Sequence, residues 1–170
     1  YIDGVDTIIR MAVNYGITIG FSQNDLLLAL LLVQIISFPG TLIINYIASK
    51  TSTEHGILVC ICAYIIITIF TSFIQTLTGF YAIALTIGLV QGGLQALSRS
   101  YFANIIPESR DSEFFGVYNM LGKFAALIGP LLVGFVTYLS ASSRLGIFSL
   151  IILFIVGLIF MMYVRKYTSR

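Results

Sequence analysis

The chain is poor in charged residues. Of its 170 residues only 9% are Asp, Glu, Lys or Arg, whereas 58% are hydrophobic, and the mean hydropathy is +1.01. A soluble domain of this length could not bury so much apolar surface, so the composition predicts an integral membrane protein solvated by the lipid bilayer. The formal net charge of +2 and the lack of a basic cluster with interleaved aromatics argue against a nucleic-acid partner.

Cysteine and histidine are also scarce. Cys60 and Cys62 are the only cysteines, and two positions apart on a helix they point to different faces, so neither a disulfide nor a metal pair is expected. His55 is the only histidine, and no cofactor is expected. The sequence lacks Gly-x-Ser-x-Gly, HExxH and a phosphate-binding glycine loop. These absences disfavour an enzyme, including a six-helix intramembrane protease.

Apolar runs divide the chain into stretches that can cross a bilayer, which needs about 20 residues per helix. Six such stretches cover residues 1–21, 26–48, 56–77, 80–98, 114–139 and 145–164. The runs are continuous rather than alternating, so helices are preferred to strands. The predicted fold class is an all-α membrane protein with six transmembrane helices. No signal peptide is recognisable, and the chain is expected to be a fragment that lacks sequence before Tyr1.

The basic residues predict an orientation. With six spans, both termini and the second and fourth loops share one side of the membrane. That side holds six basic residues and the other holds only Arg144, so the termini are predicted to be cytoplasmic. The six are Lys50, Arg99, Arg110, Arg165, Lys166 and Arg170.

Polar residues within the spans form stripes on four of the helices, where they are expected to face a bundle interior or a watery cavity. The stripes are Asp3, Asp6, Thr7, Arg10, Asn14 and Thr18 on helix 1; Gln34, Ser37, Thr41 and Asn45 on helix 2; Gln91, Gln95 and Ser98 on helix 4; and Asn119 and Lys123 on helix 5. Helices 3 and 6 have no comparable stripe through their interiors and are predicted to lie against lipid. The order lining, lining, peripheral thus occurs twice.

That order predicts a three-plus-three repeat of the kind found in one half of a secondary transporter. Pro39 in helix 2 and Pro130 in helix 5 occupy corresponding positions of the two triplets. Interrupted helices at matching positions favour a nearby binding region. Gly88, Gly92 and Gly93 predict close packing of helix 4 on a neighbour.

The charged residues within spans are the leading site candidates. Asp3, Asp6 and Arg10 are predicted to bind solute or a coupling ion such as the proton; the alternative is an Asp6–Arg10 ion pair that only fastens helix 1. Lys123 either binds an anionic group, of the solute or of a neighbouring aspartate, or snorkels to the membrane surface. The candidate path-lining residues are Gln34, Gln91, Gln95 and Asn119.

Three segments resemble the vacuole effluxer-like family of the major facilitator superfamily. They are Asp3-Gly4-Val5, the run Gln-Gly-Gly-Leu-Gln-Ala-Leu-Ser-Arg-Ser at 91–100, and the stretch from Glu113-Phe114-Phe115-Gly116 through Gly122-Lys123 to Gly129-Pro130. The resemblance implies the C-terminal six helices of a twelve-helix transporter, with residues 1–21 forming most of the seventh helix. It also implies an N-terminal six-helix half as partner, and two halves that rock about a central site.

The resemblance further implies a substrate class and a location. Family members are linked to amino-acid efflux from the fungal vacuole, whereas most bacterial relatives have no assigned substrate. The membrane would be vacuolar in a fungus and the plasma (inner) membrane in a prokaryote. The loop from Asn45 to Gly56 departs from the superfamily's glycine-led basic motif, since only Lys50 and His55 are basic there, so the usual gating salt bridges are not implied.

We therefore predict a secondary active transporter of a small polar solute, such as an amino acid, working by alternating access. Two alternatives stay open at this point. The polar stripes could contact a partner's helices in a non-transporting membrane subunit or assembly factor, or a complete six-helix chain could form a homo-oligomeric carrier.

Overall fold

A computed structural model describes residues 1–107 and 110–168; Arg170, counted above, lies outside them. The described residues form eight α-helices and no strand. The helices are α1 Ile2–Ile19, α2 Gln23–Lys50, α3 Thr53–Phe73, α4 Leu77–Ile105, α5 Asp111–Ala125, α6 Ile128–Ser140, α7 Ser143–Phe148 and α8 Leu150–Thr168. Since α5 with α6 and α7 with α8 are interrupted spans, the helices make six segments.

Five of these segments are long and apolar enough to cross a membrane. They are Gln23–Lys50, Thr53–Phe73, Leu77–Ile105, Ser112–Ser140 and Ser143–Lys166. The remaining segment, α1, has 18 residues and carries Asp3, Asp6 and Arg10. The predicted fold class, an all-α membrane protein, is confirmed. We call the end of the bundle at which α2, α4 and α8 terminate the basic end.

Two differences from the predicted spans concern helix α4 and the last span. Helix α4 does not end at Ser98 but continues to Ile105, which adds seven residues, about two turns. The last span is broken at Ser149, whose hydroxyl donates a hydrogen bond to the Gly146 carbonyl at 2.6 Å. A serine that bonds back to its own helix competes with the backbone ladder and favours a bend.

The two intramembrane prolines behave differently. A proline lacks an N–H, and its ring excludes the carbonyl four residues earlier, which is that of Ala126 for Pro130. The fifth span is accordingly interrupted at Ala126 and Leu127. By contrast α2 runs unbroken through Pro39, so the prediction of matching interruptions is wrong for helix 2.

Helix α4 packs closely on α2 in the two turns before Pro39. A Cβ atom added to Gly88 would lie 2.8 Å from the Val33 carbonyl oxygen, and one added to Gly92 would lie 2.7 Å from that of Ser37. Only glycine permits the two backbones to approach this closely. The predicted tight packing of helix 4 is confirmed, and its partner is α2.

Helix α3 corrects the prediction that it lies against lipid. Half of its 18-residue apolar stretch is buried inside the bundle, the largest share of the five spans. Its Tyr64 is fully buried and stacks on Phe154 of α8, with ring centroids 5.4 Å apart. Only the opposite face, with Val59, Phe70 and Phe73, is exposed. The lack of a polar stripe indicated only that the surroundings of α3 are apolar. Neighbouring helices provide such surroundings as well as lipid does.

At the end opposite the basic end, one hydrogen-bond chain ties three helices together. The Arg144 Nε donates to the Tyr15 hydroxyl at 3.1 Å, and that hydroxyl donates to the Ile74 carbonyl at 3.1 Å. Tyr15 is buried on α1, while Ile74 caps α3 and Arg144 lies on α7. The chain therefore fixes α1, α3 and α7 relative to one another.

We expect Arg144→Gln to lower the free energy of unfolding by about 1 kcal/mol, because the Tyr15 hydroxyl loses a charged donor. The control is Arg110→Gln, which removes the exposed Arg110–Glu113 ion pair and should cost at most about 0.5 kcal/mol. Denaturant unfolding of the purified protein in mixed micelles measures both. Equal effects of the two variants would contradict a stabilising role for the chain.

Candidate functional site

Helices α1, α4 and α5 line a half-open cavity of about 760 Å³, which we call the charged cavity. It contains six of the eight predicted site residues: Asp3, Asp6, Arg10, Gln95, Asn119 and Lys123. Helical spacing brings them together, since Asp3, Asp6 and Arg10 share one face of α1 while Asn119 and Lys123 are one turn apart on α5. The volume is within the range of small-molecule sites.

The other two predicted residues lie elsewhere. Gln34 is exposed on α2, away from the residues that line the charged cavity. Gln91 is half-buried on α4, and its Oε1 atom is buried with no hydrogen-bond partner among the described residues. Their polar character had placed them in the same group, but position on the helix, rather than polarity, decides which side chains share a cavity.

The charges of the cavity are not paired with one another. Two carboxylates, Asp3 and Asp6, face it together with the cations Arg10, Arg99 and Lys123. Within residues 1–107 and 110–168, one ion pair has its charged atoms within 4.0 Å of each other. It joins Arg110 to Glu113 at 3.7 Å and lies outside the cavity. The fastening ion pair between Asp6 and Arg10, within 4.0 Å, is therefore not formed among the described residues.

The two carboxylates have different surroundings. Asp3 Oδ2 accepts a hydrogen bond from the backbone N–H of Gly129 at 2.7 Å, and its Oδ1 accepts one from the Thr7 hydroxyl at 3.3 Å. Asp6 accepts no hydrogen bond from any described residue, and it is only half-buried. Of the two acids, Asp6 thus has the greater free acceptor capacity.

Sequence reasoning missed an aromatic and basic group at the basic end of the cavity. Arg99, Phe102 and Tyr118 line it, and the Phe102 and Tyr118 ring centroids are 4.6 Å apart. Phe115 lies against the same ring of Phe102 at 5.4 Å, so the group joins α4 to α5. Hydropathy ended helix 4 at Ser98, which assigned Arg99 to a loop. The apolar periodicity that continues to Ile105 was the signal for a longer helix.

A second cavity of about 430 Å³ lies further along α1. It is lined by neutral polar groups, including Asn14, Thr18 and Thr137, together with the aromatic rings of Tyr15 and Tyr138. None of the residues that line this second cavity is charged. The polar stripe of helix 1 therefore faces two separate cavities, a charged one and a neutral one.

The chemistry of both cavities comes from side-chain charge and hydrogen bonding. In the part of the chain that the structure describes, no group of three or more His, Cys, Asp or Glu residues is arranged to hold a metal ion. Cys60 is buried and Cys62 is exposed, and both are free thiols.

The six helical segments of this chain, with a charged cavity among them, form one half of a major facilitator superfamily transporter fold. The chain belongs to the family described as vacuole effluxer Atg22 like, whose family model matches residues 1–170. Both parts of the predicted resemblance, superfamily and family, are confirmed.

The relatives are transporters or autophagy-related proteins. The chain is 40% identical over 169 residues to the MFS-type transporter YxiO of Bacillus subtilis, named as uncharacterized, with 99% of this chain and 40% of YxiO covered. It is 25% identical to autophagy-related protein 22-2 of Aspergillus niger, over 85% of this chain and 28% of that protein. It is 39% identical over 75 residues to autophagy-related protein 22 of Vanderwaltozyma polyspora, which covers 44% of this chain and 14% of that protein.

The chain thus spans well under half the length of these relatives. No solved structure matches it.

Proposed function

We propose that the chain is the C-terminal six-helix half of a secondary active transporter, and that its charged cavity binds a small zwitterionic solute. The observation that carries this proposal is the presence of unpaired charges of both signs, on Asp6, Arg10 and Lys123, in one cavity. An α-amino acid is the simplest solute that presents a carboxylate and an ammonium group to such a site. The family description and the YxiO name support transport.

In this proposal each charge has a defined partner. Arg10 binds the solute carboxylate, for which a guanidinium is well suited because it donates two parallel hydrogen bonds. Asp6, without a hydrogen bond from any described residue, binds the ammonium group. Gln95 and Asn119 supply neutral hydrogen bonds at the same cavity. The basic end faces the cytoplasm, as the positive-inside rule requires.

Transport would proceed by alternating access against a second six-helix half. The exposed faces of α2 and of the α5–α6 span are available for that half. Only 17% of the apolar stretch of α2 is buried, and only 11% of that of the α5–α6 span. The cavity closes when the two halves rock about it, and lipid covers the remaining apolar surface.

The test is solute uptake in proteoliposomes by the full-length protein that contains this chain. The assay compares an amino acid with its carboxamide and its N-acetyl derivative, each of which lacks one charge. Wild type should prefer the amino acid to either analogue by at least about tenfold. Arg10→Gln should abolish the preference over the carboxamide, and Asp6→Asn should abolish the preference over the N-acetyl derivative.

Two charge-neutralising variants outside the cavity serve as controls. Glu54→Gln and Arg110→Gln should retain wild-type affinity and both preferences, because neither side chain lines the cavity. If Asp6→Asn and Arg10→Gln also behaved as wild type, the assignment of the solute site to this cavity would fail.

A further inference from the structure

Asp3 lies beside a break in a membrane-spanning helix. The span that contains Pro130 is interrupted at Ala126 and Leu127, and α6 starts anew at Ile128. The first backbone N–H groups of any helix have no partner within that helix. Inside a membrane there is no bulk water to satisfy them, so a donor left free there costs several kcal/mol.

The local sequence cannot cap this helix. The residue at the N-cap position of α6 is Leu127, which has no side-chain acceptor and so makes no cap of its own. The Gly129 N–H is the second amide of α6, one of those that an N-cap side chain usually binds. Pro130, next in the chain, has no N–H to satisfy.

The cap comes from α1 instead. The Asp3 carboxylate accepts the Gly129 N–H at 2.7 Å, although 126 residues separate them in sequence. The negative charge also lies at the positive end of the α6 dipole, where it is stabilised. Thr7 is fully buried beside the pair, and its hydroxyl binds the other Asp3 oxygen at 3.3 Å.

Gly129 is the residue that makes this contact possible. A Cβ atom at that position would meet Thr7 Oγ1, would lie 2.8 Å from Thr7 Cβ, and would lie 3.1 Å from Asp3 Oδ1. Any larger residue would push α1 away from α6 and lengthen the hydrogen bond.

We propose that Asp3 is a positioning residue that caps α6 across the helix–helix interface and so fixes the interrupted span to α1, while the neighbouring Asp6 alone presents a carboxylate to the solute. The inference rests on the proposed function for the role of Asp6. The cap itself stands on the Asp3–Gly129 contact. It assigns different roles to two acids that lie on one face of one helix.

Asparagine separates the two roles, because its side-chain carbonyl keeps the acceptor and its shape but loses the charge. Backbone hydrogen exchange of residues 124–132 in nanodiscs, read by mass spectrometry, reports on the cap. Asp3→Asn should keep exchange within about threefold of wild type, while Asp3→Leu should raise it at least about tenfold. In the uptake assay Asp3→Asn should stay within about threefold of wild-type affinity, unlike Asp6→Asn.

The matched variant Asp6→Asn should leave exchange of residues 124–132 unchanged while altering solute preference. If Asp3→Asn impaired uptake as strongly as Asp6→Asn with exchange at the wild-type level, Asp3 would act through its charge on the solute, and the inference would be wrong. If the exchange pattern held but Asp6→Asn transported normally, the cap would stand and the proposed solute site would fail. Should Asp3→Leu not fold, Asp3→Ala replaces it, because alanine removes the acceptor without adding bulk. Faster exchange of residues 124–132 in that variant supports the cap, and exchange at the wild-type level overturns it.

Discussion

Gly40→Ala is expected to destabilise the protein by about 3 kcal/mol or more, through overpacking of the interface between α2 and α4. A Cβ atom at Gly40 would overlap the Leu89 carbonyl oxygen and would lie 2.6 Å from Leu89 Cα. These are backbone atoms, so no side-chain rotation can make room. The two helices would have to separate, and α2 would lose its close packing on α4 beside Pro39.

The matched control is Gly116→Ala on α5, the same substitution in another helix. An added Cβ there meets nothing within 4 Å. Because alanine favours a helix over glycine by about 1 kcal/mol, this variant should be as stable as wild type or slightly more so. Thermal unfolding in detergent measures both variants. Similar melting temperatures for the two would contradict the close approach of α2 and α4.

Lys123→Glu is expected to reduce solute affinity at least about a hundredfold, because a favourable charge contact becomes a repulsion at short range. Lys123 lines the charged cavity from α5, and the acids line it from α1. Its reversal changes the cavity from three cations and two acids to two cations and three acids. Binding of a carboxylate-bearing solute should suffer most, and binding of the carboxamide analogue least.

The milder variants distinguish the two interpretations of Lys123. If the ammonium group binds solute, Lys123→Met should lose about tenfold in affinity and Lys123→Arg should largely keep it. A lysine that only snorkels to the membrane surface would tolerate methionine, which has a similar length and apolar stem. Lys166→Glu, on an exposed position of α8, is the control for charge reversal and should bind solute normally. Uptake by Lys123→Met at the wild-type level would exclude a solute contact.

The segments of the bundle were predictable from the sequence because each needs a long apolar run whatever its neighbours are. The interruptions were not. Pro39 and Pro130 give the same local signal, yet only the span of Pro130 breaks. Hydropathy cannot distinguish the two prolines, because it carries no information on which helices touch.

The candidate site was predictable to the extent that helical spacing determines it. Asp6, Arg10, Asn119 and Lys123 fall in one cavity because two polar faces meet. The different surroundings of Asp3 were hidden, since its partner is a backbone N–H on a distant segment. Tyr64 shows the converse error: its helix has no polar stripe through its interior, yet it lies at the centre of the bundle.

The most direct test of the charged cavity as solute site is the chemical accessibility of Asn119. In a Cys62→Ser background, the Asn119→Cys variant in vesicles with the basic end exposed should react with a charged, membrane-impermeant thiol reagent. A zwitterionic amino acid should slow that reaction at least about fivefold at saturating concentration, as a bound ligand protects its own site. Phe135→Cys, at an exposed apolar position of α6, should stay unlabelled. Labelling of Asn119→Cys at a rate that the amino acid does not change would contradict the account.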